Sequence, residues 1–253
     1  MAAVMDRVIR DGEGTCERDW LTWPGLARLP AITLDALVPA GRRAVVVAPH
    51  PDDEVLAVGG LLSMLARGGR QTLVVAVTDG GESHRGSMQW PRERLLRVRP
   101  IESRRALQRL GLPGDTLRLA LPDGGLSNQG DTLTGYLQAI VAPTDVVFTT
   151  WRMDGHPDHE ATGHAAAVAS ARVGAQFIEV PVWAWHWARP GDARMPWRQA
   201  RRLALDTPAV RQKTASLQAF DSQLRFDPST GREAVLRGST IERAARPFEV
   251  FFL

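Results

Sequence analysis

Strands alternating with helices along most of the 253-residue chain predict an α/β fold: a three-layer sandwich with helices on both faces of a mostly parallel sheet. Two observations carry this expectation. The runs RRAVVVAP, QTLVVAVT and DVVFTTW are apolar at successive positions, as strands buried on both faces are. Each leads through a polar loop into a helical pattern, first at Val55, Val58, Leu61, Leu62 and Leu65.

The elements follow in order. Residues 1–40 read as an N-terminal leader packed on the core of a single domain spanning 1–253, because the prolines and glycines of TWPGLARLPAITLDALVPAG break any long periodic element. RRAVVVAP then predicts a strand, PHPDDE a charged turn, and EVLAVGGLLSMLARGG a helix stopped by Gly68 and Gly69. QTLVVAVTDGG is a second strand ending in an acidic loop. The arginine-rich PRERLLRVRPIESRRALQRLG is helical, with Pro100 expected to kink or divide it. DTLRLALPDGG, TGYLQAIVAP and DVVFTTW continue as strand, helix and strand, and MDGHPDHEATGHAAAVASARVG as a loop and helix. QFIEVPVWAW and RRLALD are expected as later strands, which would put Trp183, Trp185 and Trp187 on one face, and PAVRQKTASLQAFDSQ as a final helix.

Composition excludes several function classes. The sequence isoelectric point of about 9.9 reflects arginine, since Lys213 is the sole lysine, while the net charge is only +3 and its basic residues are scattered among acids. Nucleic acid is therefore not an expected partner. No run is long enough to span a bilayer and the N-terminus lacks the apolar core of a signal peptide, so a cytoplasmic protein is expected. Cys16 is the only cysteine, which leaves His, Asp and Glu as the available metal ligands.

In an open parallel sheet, ligands bind outside the carboxyl ends of the strands. The loops PHPDDE, TDGG, LPDGG and DGHPDH all follow strands and should converge on one rim. Two imidazoles and a carboxylate form a common catalytic zinc set, and a bound ion lowers the pKa of water from about 16 to about 7. Asp52 and Asp53 are adjacent on a turn and point apart, so one can bind metal while the other accepts a proton. His156 and His159 stand three apart at a helix entrance, where one can ligate and the other donate to an oxyanion or leaving group. Helix capping by Asp52 and Asp53 would account for one such loop alone.

APHPDDE and GHPDH, in these strand and helix positions, resemble the signature motifs of the LmbE-like, or PIG-L, family of zinc-dependent N-deacetylases. VTDGG, RPIESRRALQRLG, LPDGGL and KTASLQAFDSQ resemble further family motifs, in the family's order. The resemblance implies a Rossmann-like fold and hydrolysis of the acetamide of a small-molecule amino sugar containing N-acetylglucosamine. It implies that His50, Asp53 and His159 bind Zn2+ or another divalent metal, that Asp52 is the general base, and that His156 stabilises the intermediate or protonates the amine. Arg99 and Asp123 match positions that contact sugar hydroxyls. Asp154 stands where some family members carry an oxyanion-assisting tyrosine. Two alternatives stay open: an amidase or deacylase acting on a larger thiol conjugate or acylated glycoside, and a non-catalytic carbohydrate-binding module with a residual metal site.

Overall fold

The computed structural model describes residues 7–9, 12–114 and 116–253, so residues 1–6, 10 and 11 of the expected leader lie outside the described residues. In chain order the elements are α1 (Glu17–Thr22), α2 (Pro24–Ala27), β1 (Ala31–Ile32), α3 (Leu34–Leu37), β2 (Ala44–Ala48), α4 (Asp53–Arg67), β3 (Thr72–Thr78), α5 (Arg92–Arg109), β4 (Leu117–Leu121) and α6 (Gly130–Ile140). They continue with β5 (Val146–Thr150), α7 (Pro157–Val173), β6 (Gln176–Val180), α8 (Ala184–Trp187), β7 (Ala200–Ala204), α9 (Thr207–Leu217), α10 (Asp221–Leu224), α11 (Gly238–Ala244) and β8 (Phe248–Phe252).

The strands form one sheet in the order β1-β7-β8-β6-β5-β2-β3-β4. Neighbours pair in parallel except β8, which runs antiparallel to both β6 and β7. The central strand β2 is buried throughout, and its side chains alternate between two cores. Val46 joins the cluster of Leu61, Leu62, Leu107 and Leu217 from α4, α5 and α9. Val45 and Val47 join Leu133, Leu137, Ala165 and Ala169 from α6 and α7 on the other face. The expected three-layer α/β sandwich is thus the observed one. Among the described residues no helix is long and apolar enough to cross a membrane.

Four features refine or depart from the sequence expectation. Pro100 lies inside α5 without dividing it, because Leu95, Arg99, Glu102, Ser103, Ala106 and Leu107 bury one face and hold the helix across the missing N–H. The tryptophans of VWAWHWA leave the strand at Val180 and enter the turn of α8, so they do not share one strand face. The C-terminal helix splits at Phe220 into α9 and α10. Strand β8 was not anticipated.

Helix α4 is itself broken at Val58, whose φ of −135° and ψ of 20° are non-helical. The backbone groups freed there meet a buried ion pair. Glu249 of β8 accepts from the N–H groups of Gly60 (2.7 Å) and Leu61 (2.9 Å), and Lys213 donates to the Leu56 carbonyl (3.1 Å) and to Glu249 (2.7 Å). Both side chains are at most 5% exposed, so each charge is matched where water cannot reach it.

Candidate active site

The carboxyl ends of β2, β3, β4 and β5 carry the four polar loops to one cleft. The Thr78 hydroxyl ties two of them together by donating to the Pro49 carbonyl at 2.9 Å. A cavity of about 300 Å³ there is lined by His50, Asp52, Asp53, Asp123, His156 and His159, with Arg99 and Trp183 in its wall. All seven residues singled out by the sequence therefore meet in one place.

Asp53 begins α4 and is buried, with Oδ2 3.2 Å from His50 Nδ1 and 3.2 Å from His159 Nε2. The far nitrogen of each imidazole is held by other carboxylates. His159 Nδ1 lies 2.8 Å from Asp154 Oδ2, and His50 Nε2 lies 3.2 Å from Asp123 Oδ1 and Asp158 Oδ2. His159 Nε2 is buried and makes no hydrogen bond. A carboxylate that orients an imidazole from behind fixes its tautomer and aims the other nitrogen's lone pair, the usual support of a metal-binding histidine. Two ring nitrogens, His50 Nδ1 and His159 Nε2, that converge on one carboxylate oxygen fit a divalent cation shared by His50, Asp53 and His159 once their protons are lost. The ring nitrogens of His50, His156 and His159 also lie within 4.8 Å of one another.

Charge follows this geometry. Burial opposes ionisation of Asp53, but the His159 and His50 rings outweigh it and hold the carboxyl well below its usual range. Burial likewise disfavours a charged His159, yet Asp53 and Asp154 raise its pKa to about 9. For His50, burial is outweighed by Asp123, Asp158 and Asp53, which hold the ring well above its ordinary value. His156 goes the other way, lowered to about 3 by burial and by the neighbouring His159 and His50 rings. It is the N-cap of α7, its Nδ1 accepting from the Asp158 N–H at 3.2 Å, which leaves Nε2 as the protonated nitrogen.

Asp52 points away from this cluster, as adjacent turn residues should. Its Oδ2 receives Arg99 Nη2 at 3.0 Å, and burial lifts its pKa to about 7, with Arg99 opposing and Asp53 and Glu54 adding to the rise. Its φ of +133° is rare for a non-glycine residue and costs roughly 1–3 kcal/mol. Arg99 is 3% exposed and also donates to the carbonyls of Gly80 (2.9 Å) and Pro51 (2.7 Å). Gly80 must be glycine for this, since a Cβ there would fall 2.1 Å from Arg99 Nη1. Asp123 accepts from the Glu82 N–H at 2.7 Å while its other oxygen faces His50.

Sequence reasoning missed the part played by Asp154. It is fully buried and also accepts from the N–H groups of Val182, Trp183 and Ala184, so it joins the loop after β5 to the start of α8. An acid five residues before a candidate ligand histidine was the available signal. Of the three tryptophans, Trp183 lines the cleft, its ring stacked on His156 with centroids 6.5 Å apart. Trp185 packs edge-on to Trp20, and Trp187 stacks on Trp151.

The chain is similar in sequence and in fold to known proteins. Residues 45–170 match the family model for PIG-L, GlcNAc-PI de-N-acetylase. The chain is 27% identical over 238 residues to 1D-myo-inositol 2-acetamido-2-deoxy-alpha-D-glucopyranoside deacetylase of Corynebacterium diphtheriae, covering 75% of this chain and 79% of that protein. It is 30% identical over 138 residues to the probable N-acetyl-alpha-D-glucosaminyl L-malate deacetylase 2 of Bacillus cereus, covering 52% and 62%. In fold it is similar to N,N'-diacetylchitobiose deacetylase of Pyrococcus horikoshii, with a TM-score of 0.58 at 20% identity over 75% of this chain and 73% of that one. The zinc-inhibited form of teicoplanin deacetylase Orf2 is likewise similar, with a TM-score of 0.61 at 18% identity over 83% and 97%.

Proposed function

We propose, from the match of residues 45–170 to the PIG-L family model, that the protein is a hydrolase that removes the N-acetyl group from an N-acetylglucosamine-containing compound. One observation carries the reading. The buried His159 Nε2, 3.2 Å from Asp53 and oriented by Asp154 behind it, completes a two-histidine, one-carboxylate donor set beside Asp52, which Arg99 holds apart from that set.

A divalent cation held by His50, Asp53 and His159, with zinc suited to these donors, would polarise the acetamide carbonyl and acidify a bound water to about pKa 7. The protein's own groups supply the rest. Asp52 takes the proton of the attacking water and returns it to the departing amine. His156, with its proton on Nε2, donates to the oxygen that becomes negative as the carbonyl is attacked. The α7 N-terminus behind His156 adds favourable dipole at that point. Asp123 accepts a sugar hydroxyl at the cleft wall. Arg99, whose Nη atoms are engaged by Gly80, Pro51 and Asp52, acts through Asp52 and its turn.

A larger amide substrate is favoured by one further observation. A second cavity of about 550 Å³ shares Ser83, Trp183 and Val235 with the first and continues the cleft toward Arg232 and Arg237. Amine and acetate release from N-acetylglucosamine and from larger conjugates, with and without a chelator, tests both readings. Chelator-sensitive release is expected, and chelator-resistant hydrolysis would overturn the metal-dependent mechanism.

A further inference from the structure

The peptide bond between Pro51 and Asp52 is gripped at both ends by buried charged side chains. Its carbonyl receives Arg99 Nη2 at 2.7 Å, and its N–H donates to Glu54 Oε2 at 3.0 Å. Glu54 is 1% exposed, and its other oxygen receives the Ser103 hydroxyl at 2.5 Å. Arg99 and Ser103 stand four residues apart on one face of α5, so a single helix turn supplies one hand of the grip and steadies the other. Burying charge is costly unless opposite charge and hydrogen bonds compensate it, and here the compensating grip also acts as a constraint. What it constrains is the orientation of one peptide plane, and rotation about the next bond is the φ of Asp52, held at +133°.

We infer that Glu54 is a positioning residue: with Arg99 it locks the Pro51–Asp52 peptide so that Asp52 keeps its strained backbone and presents its carboxylate to the cleft. This rests on the reading of Asp52 as the proton acceptor. A first-turn acid could instead serve α4 only by interacting with the helix dipole. That role needs no bond to the residue before the helix, and it would leave Asp52 unmoved when Glu54 is removed.

Glu54→Ala and Glu54→Gln, prepared as zinc-loaded protein, distinguish the two roles. Glutamine can still accept from the Asp52 N–H and can donate to Ser103, so it should retain kcat within about fivefold. Alanine should lower kcat about 100-fold with KM changed less than about threefold, the loss expected when a reacting group is misplaced by about 1 Å. Zinc stoichiometry should stay at one per chain in both, and a crystal structure of Glu54→Ala should have Asp52 at negative φ. An unchanged Asp52 φ in that variant, or equal kcat in the alanine and wild-type proteins, overturns the inference. If Glu54→Ala does not fold, Ser103→Ala takes its place, with about a tenfold loss in kcat expected and none overturning it. If the wild type hydrolyses no N-acetylated amino sugar, the functional reading fails, while the Asp52 conformation in the variant still decides the positioning role.

Discussion

Helix α4 meets buried charge twice, and the two encounters differ in how completely they are matched. At the break after Val58, every polar atom named has a partner: Glu249 takes two backbone N–H groups and Lys213, and Lys213 takes the Leu56 carbonyl. At the first turn the matching is deliberately incomplete. His159 Nε2 faces Asp53 Oδ2 at 3.2 Å without hydrogen-bond geometry, and Asp52 is raised to about 7 by burial beside Asp53 and Glu54. A closed set of buried charges is a scaffold, whereas an open set is chemistry held in waiting.

The largest effect that would test this contrast is at Asp52. Asp52→Asn should lower turnover by about 10²–10⁴-fold, the range for losing a general base, with zinc content unchanged. An amine-release assay paired with metal analysis reads both, and near-normal turnover would remove Asp52 from the mechanism.

Lys213→Met should act on stability instead. It strands the buried Glu249 charge and should cost about 3–5 kcal/mol in denaturant unfolding, with the double variant Lys213→Met/Glu249→Gln recovering part of it. A loss under 1 kcal/mol in the single variant would mean that the pair is solvated after all. Turnover per folded molecule should change little, which is the contrast itself.

Asp154→Asn keeps the shape but removes the carboxylate behind His159. Metal affinity should fall about 10–100-fold, measured by competition with a chromogenic chelator. Unchanged affinity would show that His159 needs no orienting partner.

The smallest effect is with pH. In the metal-free protein His159 titrates near 9, against about 6.5 unfolded, so the folded chain binds the extra proton between these values. That contribution to metal-free stability is complete below about pH 6.5 and is lost as pH rises through 9. Metal must displace the protons of both His159 and His50, so apparent affinity should climb with pH from 7 toward 9, by up to about tenfold per pH unit for each proton released, and level off once both are lost. A flat affinity profile would contradict the ion pair between His159 and Asp53.

Much of the site was legible because its signals are local. PHPDDE and GHPDH each sit between a strand and a helix, so the rim they occupy follows from the α/β pattern, and the divergence of Asp52 from Asp53 follows from their adjacency on a turn. The sequence marks Asp154 only as standing where a tyrosine can stand, since nothing nearby in sequence tells that Val182 and Trp183 will reach it. Nothing in the sequence around Arg99 tells which loop carbonyls it meets. Its burial against Pro51, Asp52 and Gly80 depends on how α5 packs over two loops. Strand β8 escaped notice because FEVFF is short and terminal, and its antiparallel placement between β6 and β7 comes from strand pairing.

By itself, the sequence determined the layered α/β architecture and which residues line the rim, because hydrophobic periodicity and strand-loop-helix order are properties of contiguous residues. Only the tertiary structure decided which nitrogen of each histidine faces Asp53, which peptide Glu54 and Arg99 hold, and why the sole lysine is buried. Those depend on hydrogen bonds and ion pairs between residues far apart in the chain, whose geometry exists only once the layers have packed.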